Sequence, residues 1–188
     1  MYKRQTSGAA TGLLTDETKT SWATQVGYTK PQYSISAIVN AKYNGWTDGY
    51  LHTENADDAL VAGGNHTAIG LRGWWRPEET GTATPSISVG YDTTKYDEVT
   101  TGTDSSNMWF VGLNWQDIFN ADDRIGLALA QPTKHDDETS DPFAYELYYS
   151  FKANDSITIT PAIFGGTDVE DTTDDDIFGA VLTTVFKF

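Results

Sequence analysis

Tyr33-Ser34-Ile35-Ser36-Ala37-Ile38-Val39-Asn40-Ala41-Lys42-Tyr43 alternates along its whole length. One parity runs Tyr33, Ile35, Ala37, Val39, Ala41, Tyr43, while Asn40 and Lys42 sit on the other. Successive side chains of a strand point to opposite sides, so this stretch reads as a strand with one apolar and one polar face. An aromatic closes each end of the apolar row, and aliphatics fill the middle.

The pattern recurs. Trp109, Val111, Leu113, Trp115 form one such row, Phe143, Tyr145, Leu147, Tyr149, Phe151 another, and Phe178, Ala180, Leu182, Thr184, Phe186, Phe188 the last. Strands are predicted at about 21–29, 32–43, 66–76, 84–91, 106–116, 124–131, 143–152, 156–164 and 177–188. No helical period of comparable quality is present. The expected fold is all-β, an antiparallel up-and-down meander forming a transmembrane β-barrel. Nine or ten strands lie in this chain, and residues 1–188 make a single domain.

The connections carry a second signal. If the last strand ends in the periplasm, those at 30–31, 77–83, 117–123 and 153–155 fall inside and are short. Those at 44–65, 92–105, 132–142 and 165–176 fall outside and are longer, the asymmetry of outer-membrane barrels. With these directions Trp22, Tyr43, Tyr91, Trp109, Phe143 and Phe178 are expected at the outer end of the apolar rows. Tyr28, Tyr33, Trp75, Trp115, Phe151 and Phe188 are expected at the inner end. Two aromatic girdles around an aliphatic band would mark the two membrane interfaces. The apolar parity within these limits holds no Asp, Glu, Lys or Arg, and a basic residue at the bilayer midplane costs about 2–4 kcal/mol. The ordinary preference of aromatics for strands predicts no bias toward both ends of one face.

Composition narrows the classes. The net charge is −15 and the pI about 4.3, which argues against nucleic-acid binding. Cysteine is absent, so disulfides and thiol chemistry are excluded. Most of the 27 acidic residues fall in the four longer connections: Asp48, Glu54, Asp57, Asp58; Asp92, Asp97, Glu98, Asp104; Asp136, Asp137, Glu138, Asp141; and Asp168, Glu170, Asp171, Asp174, Asp175, Asp176. A solvated surface is the plainer reading of these acids, and divalent bridging to lipopolysaccharide phosphates the sharper one. The three histidines, His52, His66 and His135, read as exposed loop residues without metal-ligand spacing. No nucleophile elbow, P-loop or paired-carboxylate motif is present, and neither catalysis nor a cofactor or metal is expected.

The polar parity has the opposite sign. Lys42, Arg72, Arg76, Arg124, Lys152 and Lys187 lie on it against Glu146 alone, with Asn114 beside them. In a water-filled pore these residues tune ion selectivity, unless partners neutralise them. Trp74, Phe110 and Tyr148 break the polar row. They would offer faces for sugar rings, although aromatics at such positions more often fill the wall.

Several stretches resemble the C-terminal half of cyanobacterial outer-membrane porins of the OprB-like, carbohydrate-selective class. They are Trp22-Ala23-Thr24-Gln25-Val26-Gly27-Tyr28, Gly73-Trp74-Trp75-Arg76-Pro77 and Gly126-Leu127-Ala128-Leu129-Ala130-Gln131-Pro132. The ending adds Ile159-Thr160-Pro161-Ala162-Ile163-Phe164, then Phe178-Gly179-Ala180-Val181-Leu182 and Phe186-Lys187-Phe188. The resemblance implies a passive channel of about sixteen strands, usually trimeric, passing sugars or inorganic ions. It also implies insertion through the barrel-assembly machinery by way of the terminal Phe188. Family members carry a signal and a wall-anchoring segment, and neither is visible here, so the chain is expected to be the C-terminal portion of a longer porin. The alternatives are a small closed barrel acting as an adhesin or surface receptor, and a soluble all-β binding module. An outer-membrane hydrolase is disfavoured by the missing Ser/His/acid constellation.

Overall fold

Alternation along each segment becomes pairing between segments. The computed structural model describes the backbone of residues 2–6 and the whole of residues 19–44, 64–97, 104–168 and 176–188. The strands are β1 (Tyr2–Thr6), β2 (Lys19–Thr29), β3 (Tyr33–Tyr43), β4 (His66–Trp75), β5 (Ser86–Tyr96), β6 (Ser105–Gln116), β7 (Arg124–His135), β8 (Phe143–Asn154), β9 (Ile157–Thr167) and β10 (Ile177–Phe186). They form one ten-stranded sheet in chain order, each strand antiparallel to the next. Among the described residues every regular element is a strand, and β1 and β10 are each paired on one side only. The sheet is an open meander.

Partners in an antiparallel ladder share a face, so register carries the parity from strand to strand. One row runs Tyr28, Ile35, Gly73, Val89, Val111, Leu129, Tyr145, Gly165, Phe178 across nine strands. It begins one residue from the end of β2 and finishes one residue into β10. The ladder therefore climbs almost a full strand length over its width, roughly one residue per strand step. A stagger of that size goes with strands tilted about 36° in a closed barrel.

Among the described residues no second layer covers either face. The only buried hydrophobic residue among those described is Ala41. On the apolar side Val26 is 67 %, Leu182 67 % and Phe178 70 % exposed. A water-soluble sandwich buries such rows between two sheets about 10 Å apart. Here backbone ladders rather than a packed core hold the strands together.

The strands run further toward one end than the sequence suggests. β5 continues through Asp92-Thr93-Thr94-Lys95-Tyr96, and β7 continues to His135 past a register shift opposite Asn107 and Trp109. Pro132 falls inside that irregular stretch, where a ladder donor is not required. The extensions shorten two of the expected long connections to 97–104 and 136–142, while 76–85 on the opposite side is longer than expected. The length contrast is therefore carried mainly by 44–65, and the uniform short-long alternation is corrected. We call the edge holding 30–32, 76–85, 117–123 and 155–156 the turn end, and the opposite edge the loop end.

Candidate functional site

All twelve girdle aromatics have the parity of the apolar row. Tyr33 pairs with Trp75, Tyr91 with Trp109, and Trp115 with Ile125. Phe143 pairs with Thr167, Phe151 with Ile159, and Phe178 with Gly165. Trp22, Tyr28 and Tyr43 belong to the rows of β2 and β3, and Phe188 follows Phe186 past the end of β10. Tyr28, Tyr33, Trp75, Trp115 and Phe151 lie toward the turn end; Trp22, Tyr43, Phe143 and Phe178 lie toward the loop end. Tyr91 and Trp109 require correction. Because β5 reaches Tyr96 and β6 begins at Ser105, these two paired residues sit inside their strands rather than at an end.

The turns reinforce the aromatic edge. Trp115 donates its indole N–H to the Ala83 carbonyl at 2.9 Å. Phe119, not anticipated from alternation because it lies in a turn, is 71 % exposed and meets Tyr149 edge-on at 5.9 Å, and Tyr149 stacks on Phe151 at 5.4 Å. Asp123 builds that turn. Its carboxylate accepts the N–H groups of Ile118, Phe119 and Asn120 at 2.9–3.0 Å and the Tyr149 hydroxyl at 3.0 Å. Burial pushes this carboxyl up, but those hydrogen bonds outweigh it and hold the pKa below the ordinary value.

The apolar face is charge-free only between its ends. Lys95 and Lys134 carry its parity at the loop end, beyond the strand limits read from sequence. Each is matched by an acid, Lys95 by Asp104 and Lys134 by Asp141 at 2.5 Å.

On the polar face the basic residues are less dominant than sequence suggested. Asp92 is a strand residue there, not a loop acid, and its carboxylate accepts from Arg72 at 2.5 Å. The Arg72 guanidinium also donates to the Leu71 and Tyr91 carbonyls and lies over the Phe110 ring, 5.5 Å from its centroid. Asp122 holds Lys152 at 2.6 Å at the turn end. Arg76 donates to the Pro31 carbonyl at 2.7 Å and stacks on Trp74. Arg124 begins β7 opposite Ser150, Lys42 lies opposite His66, Glu146 is exposed opposite Ala128, and Lys187 follows the end of β10. Glu146 is therefore not the sole acid on this face.

All three proposed stacking aromatics already have partners, Arg76 in the case of Trp74. A Cβ at Gly90 would overlap the Phe110 ring, and one at Gly126 would overlap Tyr148. Phe164, a fourth aromatic of this face, covers Gly179 in the same way. Aromatics folded over cross-strand glycines pin register and fill the wall. The Tyr148 hydroxyl also accepts from the Asn114 amide at 2.9 Å. Trp74, 36 % exposed, presents the freest ring of the three.

A polar cluster closes the loop end of this face. His66 and His135 are 6 % and 1 % exposed, so neither is the exposed loop histidine expected from sequence. Tyr96 packs between them, tilted against His66 and stacked on His135, each at 5.7 Å. Its hydroxyl lies 3.2 Å from Ser106 Oγ. His52 and the acids Asp48, Glu54, Asp57, Asp58, Glu98, Glu170, Asp171, Asp174 and Asp175 lie outside the described residues. Among the described residues no group of His, Cys, Asp and Glu has the arrangement of a metal site.

No protein-family model, no curated protein and no solved structure matches the chain. The functional reading therefore rests on the two faces of the sheet.

Proposed function

We propose that the chain forms part of the wall of an outer-membrane porin, a passive diffusion channel for small hydrophilic solutes, either carbohydrates or inorganic ions. The observation that carries this reading is the exposed apolar face, bounded by aromatics at its two ends and free of charge between them. In water that surface is a large aggregation liability. Against acyl chains it is the expected outside of a barrel, and its aromatic residues sit at the headgroup levels. Lipid and lipopolysaccharide are then the partners of the apolar face, with Phe188 presented to the barrel-assembly machinery and a homotrimer as the assembly.

The polar face lines the aqueous route. Its paired charges, Arg72 with Asp92 and Lys152 with Asp122, suit a wetted wall. Arg124, Lys187, Asn114, Glu146 and Trp74 are its candidate contacts with solute. An open edge does not persist in hydrocarbon, where every backbone group needs a partner. About ten strands alone enclose an interior filled by side chains, so an aqueous bore implies further strands. The chain then carries no catalysis and needs no cofactor. Liposome swelling by the full-length gene product tests the proposal. Swelling in small sugars, with exclusion of large ones, supports it; impermeable proteoliposomes containing folded protein refute it and favour an adhesin or receptor.

A further inference from the structure

His135 is the least expected side chain of the loop end. It is 1 % exposed, and among the described residues neither ring nitrogen has a hydrogen-bond partner. It lies four residues beyond Gln131, the partner of Trp109, and is the last residue of β7 at the loop end. The Tyr96 ring stacks on it, and its own connection, 136–142, follows it directly. A buried imidazole with an unsatisfied N–H costs about 1–3 kcal/mol, so the surroundings must hold it in place.

They are built to do so. The Asp136 carboxylate accepts the Asp104 N–H at 3.0 Å and the Ser105 N–H at 3.4 Å, and the Asp136 N–H donates to the Ser105 carbonyl at 3.1 Å. The Glu138 N–H donates to the His135 carbonyl at 3.2 Å. The Asp141 N–H reaches the Asp168 carboxylate at 3.2 Å, and Lys134 is paired with Asp141. Glu138 and Ser140 are themselves buried. This connection is stitched down over the histidine rather than projecting from the rim.

We propose that His135 is a proton-sensitive latch which keeps the 136–142 connection seated while neutral and releases it on acidification. A second proton would give the buried ring a further donor to satisfy and a full charge, which its burial disfavours. The charged and titratable groups around it are His66 from β4 with Lys42 of β3 opposite, Tyr96 and Lys95 from β5, and Asp104 ahead of β6. On its own hairpin are Lys134, Asp136, Asp137, Glu138 and Asp141. Asp136 Oδ1 accepts the two backbone N–H groups that tie the connection to β6, and a charged His135 competes with them for this carboxylate. The sign follows. The seated state binds fewer protons than the released one, so it is favoured above the ordinary imidazole midpoint of about 6.5 and weakens below it. The latch is independent of the channel reading; in a pore it would make the outer mouth respond to acid.

The test is amide hydrogen exchange of the full chain refolded in micelles, corrected for the intrinsic pH dependence of exchange. Between pH 7.5 and 5.5, protection at Asp104, Ser105 and Glu138 falls, by up to about tenfold per pH unit below the midpoint for a single linked proton. H135F keeps the stack on Tyr96 without a titrating group and removes the pH response, while H66F retains it. NMR titration of the His135 ring proton gives a check that needs no variant, and its midpoint coincides with the loss of protection. Protection that is flat or rises with acid overturns the latch, as does a response that survives in H135F or disappears only in H66F.

Discussion

Replacing neighbouring residues on opposite faces of β7 separates bilayer from water most sharply. Leu129 has the parity of the apolar row, paired with Val111 and Tyr145, while Ala128 lies on the other face between Gly112 and Glu146. Leu129 is five residues from Arg124 at the turn end. At ~3.4 Å per residue and a tilt near 36°, that is about 14 Å along the membrane normal, close to the middle of a ~25 Å apolar band. Leu129→Arg should therefore cost about 2–4 kcal/mol, a shift of some thirty- to several-hundred-fold in the folding equilibrium. Ala128→Arg places the same side chain beside the exposed carboxylate of Glu146 and should change stability by under about 1 kcal/mol. Guanidinium unfolding of the full-length protein in lipid vesicles, followed by tryptophan emission, measures both. If the two variants lie within about 0.5 kcal/mol of each other, the apolar face does not meet hydrocarbon and the reasoning fails.

Three further perturbations probe the wall itself. Gly90→Ala should destabilise by about 1–3 kcal/mol through overlap with Phe110, and adding Phe110→Ala should recover part of that loss in the same unfolding assay. Asp92→Asn leaves Arg72 uncompensated and should move reversal potentials toward anion preference, whereas Arg72→Gln moves them toward cations; an unchanged potential in both would remove this pair from the conduction path. The depressed pKa of Asp123 means that the folded state holds this proton less tightly than the unfolded chain. Its contribution is thus fully present above the unfolded carboxyl midpoint, about 3.9, and is lost as pH falls through the lower folded value. Asp123→Asn should lower stability at neutral pH and flatten the acid limb of a stability-versus-pH curve.

Parity was the most legible property of the chain. Twelve aromatics spread over seven strands have the single-face parity read from alternation, because a one-residue slip would invert a whole strand. Strand ends were less legible. Asp92 resembled a loop acid until Arg72 on β4 was seen to neutralise it, and nothing near it in sequence reveals that partner. β1 was legible only as the tenth strand of a nine-or-ten count, without bounds, because Tyr2-Lys3-Arg4-Gln5-Thr6 is short and lacks an apolar alternation. His135 was assigned to a loop because pairing rather than propensity extends β7 to it, whereas His66 begins β4 where alternation placed the strand start and only its burial was missed. The aromatics over Gly90, Gly126 and Gly179 join residues 15 to 22 positions apart in sequence, yet on different strands. Only register brings them together. A glycine and an aromatic each within an alternating row were the available signal.

Nitroxide labels placed one at a time along residues 33–43 test the central claim most directly, with the full-length protein in bilayers. The account predicts that relaxation by oxygen peaks at 33, 35, 37, 39 and 41, and that relaxation by a water-soluble nickel complex peaks at the positions between, the two curves opposite in phase. Curves that rise and fall together, with the nickel complex reaching Ile35 and Val39 as readily as Ser36 and Asn40, would place both faces in water and contradict it.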